Sequence, residues 1–456
     1  MLREARSLVE DALRGQDARY IEVRLEETES THISYRGRDL EEIGRSTGIG
    51  GCVRALAGGG WGFVCFNNLD RLRDKVSSAV RNARLVAGER VELAPAEPVM
   101  DVVGPIIKKD PREIPLAEKK AQLDQYVDVI WGVPNIASST LSYADRWKKV
   151  VFASSQGSYL EQQKLDVVFR ASAIARDGSD VQQSHLSIGS NGDYGLVEGL
   201  QDKVQAMACR ACELLKAPHA KGGEYTVVLD PVLAGVFIHE AFGHLSEADH
   251  VYENQQLRDI MVLGRKFGGK HLNVVDGALV PGLRGSFKYD DEGVPATKTY
   301  LLREGELVGR LHSRETAARM GETPTGNARA ISHDFPPIVR MTNTYIENGT
   351  ATFDDLIADV KEGVYACNCF GGMTSMEQFT FSAGEAYMIR NGKVAELVRP
   401  VMLTGNLFVT LENLDAVAND LAMNEGGGCG KGGQSPLAVS NGSPHIRIRK
   451  CLVSGR

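Results

Sequence analysis

In His239-Glu240-Ala241-Phe242-Gly243-His244, two imidazoles stand five positions apart at the end of an apolar run, with a carboxylate directly after the first. In a regular α-helix, residues four apart lie about 40° apart around the axis, whereas residues five apart diverge by about 140° and cannot close on one ion. A chain that uses both histidines together must therefore deform its helix here. Two routes exist: a π-type turn, which stacks a residue over the one five positions on, or termination at Gly243, whose tolerance of left-handed φ bends His244 back. The flanks predict how the motif is delivered. Tyr225-Thr226-Val227-Val228-Leu229 reads as a short strand, Asp230 as an N-cap and Pro231 as the first helical residue. The residues from Val232 to Ile238 are nearly all apolar, so the helix is expected to be buried and to carry both histidines and Glu240 into the interior.

Neutral imidazole is a preferred Zn²⁺ ligand, and a neighbouring Glu that does not ligate can take a proton from the attacking water, as in His-Glu-x-x-His metalloproteases. The motif therefore predicts a metal-hydrolase centre. The competing reading is a pair of core histidines at an accidental spacing, but a buried carboxylate beside them is costly unless a cation compensates it. A third ligand is needed. Glu247, Asp249 and His250 follow within a turn or two. The remote candidate is Cys429, in the glycine-dense stretch Asn424-Glu425-Gly426-Gly427-Gly428-Cys429-Gly430-Lys431-Gly432-Gly433-Gln434, which can bring its backbone close to a buried centre. Lys431, two residues on, is expected to favour the metal-binding thiolate. On spacing alone, the local and remote candidates both stand.

The 456 residues, 43% hydrophobic, are enough for two domains with separate cores. The boundary is expected at Lys216-Ala217-Pro218-His219-Ala220-Lys221-Gly222-Gly223, which divides the chain into 1–217 and 222–456. The fold class is α+β: an N-terminal mixed α/β domain with an antiparallel sheet, and a mostly β C-terminal domain carrying the motif helix. In the first domain, helices are expected at 2–15, 69–87, 116–132 and 194–217, and strands at Tyr20–Glu26, Thr31–Tyr35, Gly51–Leu56 and near 137–146, 159–175 and 179–188. Gly48-Ile49-Gly50-Gly51 does not open a helix after a buried strand and reads as a hairpin turn rather than a nucleotide loop.

Net charge is −7, with no basic run interleaved with aromatics, which disfavours nucleic acid as a partner. No apolar run approaches the ~20 residues of a membrane span, and the charged start Met1-Leu2-Arg3-Glu4-Ala5-Arg6 does not resemble a signal peptide, so a cytoplasmic location is expected. The eight cysteines are then expected as free thiols. Cys209 and Cys212 read as structural, and Cys367 and Cys369 as core residues on one strand face.

The motif residues, together with Asp291-Glu292-Gly293, Pro336-Pro337-Ile338-Val339-Arg340-Met341-Thr342-Asn343-Thr344, the Phe370-Gly371-Gly372 turn and Cys429-Gly430-Lys431-x-Gly433-Gln434, resemble the TldD/PmbA family of metallopeptidases over essentially the whole chain. The chain is similar to the active branch, which carries His-Glu-x-x-x-His. The resemblance implies zinc held by His239, His244 and Cys429, with Glu240 as general base. It also implies a dimer, with itself or with a motif-lacking relative, enclosing a chamber that admits only unfolded or short peptides. Extended peptides would then dock by strand addition. Residues 328–335 match no family stretch and carry no assigned role. His312, Arg340 and Tyr345, polar residues in family-like segments, are expected at the solvated surface. Two other functions compete: a modulator protein of a DNA-topology or toxin system with a structural zinc, and a metal-dependent hydrolase of non-peptide amides. An unligated Glu240 argues against the first, because closed structural sites complete four protein ligands.

Overall fold

The computed structural model describes residues 2, 5–86, 90–375 and 377–455. Strands Gly60–Phe66, Asp39–Ala57, Tyr20–Arg36, Ile136–Ser154 and Tyr159–Asp177 lie side by side in that order, all antiparallel. Met100–Val103 joins parallel to one end of Tyr159–Asp177, and Asp180–Asn191 pairs antiparallel with the other end. At about 3.3 Å per residue, the longest strands run for roughly 60 Å, too far for a single core. The sheet accordingly carries two. Helices Ala5–Leu13 and Leu72–Leu85 pack through Val9, Val76 and Ala79 onto Leu25, Val53 and Val151. Helices Leu116–Trp131 and Gln201–Lys216 pack through Tyr126, Ile130, Val204 and Ala208 onto Leu141 and Phe169.

The expected mixed α/β, antiparallel architecture is present, with local differences. The two strands expected at Tyr20–Glu26 and Thr31–Tyr35 are one, because the polar stretch between them is hydrogen-bonded to a neighbour on each side. The expected 194–217 helix is broken into a short turn at Tyr194–Val197 and the Gln201–Lys216 helix, with Gly199 at φ 64° between them. Residues 3, 4 and 87 of the expected helices lie outside the described residues. Gly48–Gly51 is not a hairpin turn. It lies inside Asp39–Ala57, paired with Thr28 to Leu25, and the chain reverses instead at Gly37, φ 62°. A Cβ at Gly50 would meet His333 Nε2 at 2.2 Å, so glycine serves close approach here rather than a turn.

The second half is built around strands that close on themselves. Glu362–Ser375, Gly223–Leu229, Ile446–Gly455, Val401–Asn406 and Gln378–Arg390 pair in succession, and the last pairs back onto the first. Beside this ring lies a six-stranded sheet that includes Val274–Gly277, Asn343–Ile346 and Ser440–Ser443. The Pro231–Ile238 helix leaves the end of Gly223–Leu229 and is wedged between the two. Phe237 packs edge-on against Phe379 and Phe381, with ring centroids 5.5 and 5.7 Å away. Gly235 lies on the Ser440–Ser443 strand, where a Cβ would come within 2.9 Å of Gly442 N. Short helices such as Arg314–Met320 fill the periphery. Among the described residues no helix is long and apolar enough to cross a membrane.

A buried ionic cluster joins the halves. Arg54 of the first sheet donates to Glu22 at 2.6 Å and to Glu292 at 2.7 Å, and Glu292 also accepts from the Arg314 backbone N–H at 2.8 Å. All three ionic side chains are buried. Removing the cation strands two carboxylates, which costs about 3–5 kcal/mol in such settings. Arg54→Met is therefore expected to lower stability in urea denaturation by about 3 kcal/mol or more; a loss below about 1 kcal/mol would contradict the clamp.

Candidate metal centre

Asp230 caps the motif helix, accepting from the Leu233 N–H at 2.8 Å, and its second oxygen accepts from the Asn368 N–H at 3.1 Å. One side chain thus starts the helix and ties it to the Glu362–Ser375 strand. At the other end the helix widens into a π-turn over His239–Gly243, in which the His244 N–H donates to the His239 carbonyl five residues back. Of the two routes open to the sequence, this is the one taken. Gly243 keeps right-handed angles, φ −57° and ψ −52°, so it is not a left-handed stop. It is glycine for space, because a Cβ there would meet Met341 Sδ at 2.1 Å.

The π-turn turns both imidazoles to one side, with ring centroids 5.4 Å apart. Cys429 arrives from a small hairpin, Gly428–Lys431 paired with Gln434–Ala438, so that donor atoms of His239, His244 and Cys429 all lie within 4.8 Å of one another. The Cys429 Sγ is 3.4 Å from His244 Nε2. His239 is 3% exposed and Cys429 2%. Burial opposes ionisation of the Cys429 thiol, but hydrogen bonds from His239 and His244 hold it down at about 5. Lys431 is not the cause. A register shift follows Cys429, and the Lys431 ammonium turns to Asp249 (2.7 and 2.8 Å) and the Val339 carbonyl (2.8 Å).

The three local candidates surround the cluster rather than complete it. Glu247, fully buried, lies 2.9 Å from His244 Nδ1, 3.2 Å from Lys431 Nζ and 3.8 Å from His250 Nδ1. Burial opposes the charged forms of both partners, yet Glu247 pushes His244 up to about 10 and Lys431 with His244 holds Glu247 down at about 2. With Nδ1 held by a carboxylate, His244 presents Nε2 to the cluster, the arrangement by which outer carboxylates orient ligating histidines. The donor set fits a borderline-soft divalent cation: two imidazoles and a readily ionised thiol. The Nδ1 of His239 is buried without a hydrogen-bond partner among the described residues, a cost that a polar occupant beside the ring offsets.

Glu240 is not buried as expected. Its side chain is 30% exposed and its Oε2 lies 3.9 Å from His244 Nε2, at the floor of a cleft of about 390 Å³. His185 and Phe370, 4.9 Å apart between ring centroids, form part of the wall, with Cys369 and Gly426 to Gly428. Cys369, half-buried, packs against the main core and also lines the cleft. Asn368, at φ 55°, leaves the pleat, and a bulge follows before Gly371, so Phe370-Gly371-Gly372 is an irregular strand and not a turn.

Sequence reasoning missed the residues that hold the hairpin. Arg340, wholly buried rather than solvated, donates to the Cys429 carbonyl at 2.7 Å and to the Gln434 carbonyl at 3.2 Å. The unassigned 328–335 segment bridges the two halves: Ile331 N–H donates to Gln434 Oε1 at 2.9 Å, and Arg24 of the first sheet donates to the Ser332 carbonyl at 2.6 Å. An arginine just before a strand signals little by itself; only the hairpin's need for carbonyl partners exposes its role. His312 is also buried, bonded to Thr316 and Glu322 at 3.2 and 3.1 Å away from the cluster, while Tyr345 is half-buried on the Asn343–Ile346 strand.

Comparison with known proteins agrees with this construction. The chain matches the PmbA/TldA metallopeptidase domain 1 over residues 21–85, the central domain over 109–217 and the C-terminal domain over 222–455. It is 49% identical over 440 residues to the metalloprotease slr0863 of Synechocystis sp., covering 96% of this chain and 95% of that one. It is 28% identical to a zinc metalloprotease TldD homolog of Saccharolobus solfataricus, covering 96% and 97%. Its fold is similar to that of TldE from Thermococcus kodakarensis, with a TM-score of 0.77 at 16% identity, covering 98% and 100%. The chain belongs to the PmbA/TldD metallopeptidase family.

Proposed function

We propose that this protein is a zinc-dependent peptidase that cleaves unfolded or short peptides, with His239, His244 and Cys429 as zinc ligands and Glu240 as general base. The observation that carries the reading is the convergence of three suitable donors within 4.8 Å, beside a carboxylate that none of them engages closely and that opens onto a cleft. Three protein ligands leave a position for substrate, as catalytic zinc sites require. The metal's contribution is Lewis acidity, which polarises a scissile carbonyl and acidifies a water. Glu240 takes the proton of the attacking water and passes it to the leaving amine. Glu247 holds the His244 ring through Nδ1, and Arg340 holds the backbone of Cys429 in reach.

The cleft suits an extended backbone. Glu362–Ser375 pairs with Gly223–Leu229 only from Gly363 to Ala366; beyond it Asp230 takes the Asn368 N–H, and among the described residues the cleft-lining Cys369 and Phe370 have no strand partner on that edge. A peptide added there is held by main-chain hydrogen bonds in any sequence, and a folded domain has no free strand to offer. Assembly into a chamber with a second subunit, identical or motif-lacking, belongs to the same reading. Among the described residues Met100–Val103 is paired on one side only, and Met100, Val102, Ile106 and Leu279 expose apolar surface of the kind that marks interfaces. Light scattering at micromolar concentration is expected to show a dimer; a peptide-cleaving monomer would sink that part.

Two substitutions separate the roles. Glu240→Gln is expected to retain zinc and lose cleavage of unfolded peptides, because the amide keeps shape but accepts no proton. Glu247→Gln is expected to weaken zinc binding about 10–100-fold, with activity returning at saturating zinc. Metal analysis and peptide cleavage read by mass spectrometry check both. Full activity in Glu240→Gln, or zinc affinity unaltered in Glu247→Gln, would overturn the respective assignment.

A further inference from the structure

A second cleft, of about 300 Å³, lies between the Ile136–Ser154 and Tyr159–Asp177 strands of the first sheet and the hairpin that carries Cys429. In a chain of net charge −7, it is lined by six cationic side chains, Arg146, Lys148, Lys164, Arg170, Arg284 and Arg329, against two carboxylates, Asp166 and Asp291. The carboxylates do not neutralise it. Asp166 is engaged by Arg284 in a two-pronged contact at 2.6 and 2.8 Å, and Asp291 faces Arg24 of the first sheet at 3.6 Å. Lys148 is paired with Glu26 at 2.7 Å. Four cations remain without a carboxylate partner among the described residues. Arg329 is buried and donates only to the Met341 and Ala438 carbonyls, at 2.6 and 2.7 Å. Arg170 reaches only the Gly426 carbonyl at 3.2 Å. Among the described residues, Arg146 is exposed with no partner, and Lys164 has only the face of Phe287, 4.3 Å from its ammonium.

Such a concentration of unpaired cations in one recess is unfavourable in the unliganded protein. Burial, opposed by Asp291 and reinforced by Arg329 and Lys148, pushes the Lys164 ammonium down to about 7. An anion beside these groups removes the repulsion and offers charge-assisted hydrogen bonds. The recess abuts the peptide cleft, because Gly427 and Gly428 line both and Gly428 directly precedes Cys429. An extended chain advances about 3.3–3.6 Å per residue, so one peptide crossing this glycine wall reaches both with a handful of residues.

We infer that this recess is a carboxylate-binding subsite, which selects peptides bearing an acidic side chain or a free C-terminal carboxylate a few residues from the bond to be cut. The inference rests on the peptidase reading for its substrate, though the binding itself does not require catalysis. The recess, of about 300 Å³, carries three arginines and Lys164 without a carboxylate partner among the described residues, which suits a single carboxylate better than a nucleic-acid backbone.

The test uses full-length Glu240→Gln protein and three dye-labelled peptides of one neutral sequence: amidated at the C-terminus, free at the C-terminus, and amidated with one internal Glu. Fluorescence anisotropy at low salt is expected to show at least one carboxylate peptide binding about tenfold or more tightly than the neutral amide, an advantage that shrinks as salt rises. The peptide that gains identifies the source of the carboxylate. Adding Lys164→Gln, or separately the exposed Arg146→Gln, is expected to reduce that advantage several-fold. Equal affinities for all three peptides would overturn the inference, as would an advantage untouched by both substitutions or stronger displacement by a short single-stranded oligonucleotide than by unlabelled acidic peptide. Cleavage by the zinc-loaded wild type separates the two claims. A retained carboxylate preference with no cleavage of any peptide counts against the peptidase reading alone, whereas equal kcat/KM for all three counts against the subsite.

Discussion

The hydrogen bond from the His244 N–H to the His239 carbonyl sets the geometry on which the candidate centre depends. In a regular helix the same residues would point about 140° apart. One extra residue in a single turn brings the imidazoles together and leaves Glu240 on the cleft side of the pair. That turn is poorer in intrinsic stability than α-helix, and its surroundings hold it: Asp230 anchors the helix start, Phe237 and Gly235 pin its body between ring and sheet, and Met341 occupies the space that Gly243 leaves. The deformation is placed where the packing on both sides is already settled.

The third donor is brought from nearly two hundred positions away, and buried polar contacts add to its packing in the main core. Arg340 holds the Cys429 carbonyl, Gln434 links the hairpin to the 328–335 segment, and Arg24 links that segment to the first sheet. The Arg54–Glu292 contact clamps the same two halves further along, and Gly293 packs its backbone on Phe152. The first sheet therefore reaches the surroundings of the candidate centre. Through His185 and the cationic side chains of its long strands, it supplies walls to both clefts.

Much of this was legible before the structure. The i, i+5 spacing forces a deformed helix, Asp230-Pro231 marks its start, and alternation within the first half shows antiparallel strands. The failures have physical causes. Gly48–Gly51 looks like a turn because glycine serves turns and close approaches alike, and only the neighbour, His333, distinguishes them. Glu240 appears buried because the helix before it is apolar throughout, yet the π-turn rotates it toward the cleft. Lys431 lies two positions from Cys429 in sequence, but a register shift sends it to Asp249. Arg340 reads as a surface cation, and Arg329 carries no role, because no local pattern records that the hairpin's carbonyls need buried donors.

The ligand assignment is open to a direct spectroscopic check. X-ray absorption at the zinc edge of the purified protein is expected to show one sulfur scatterer at about 2.3 Å together with nitrogen scatterers at about 2.0–2.1 Å, the sulfur disappearing in Cys429→Ala. A first shell without sulfur, or one whose sulfur survives that substitution, would contradict the placement of Cys429 beside His239 and His244 on the metal.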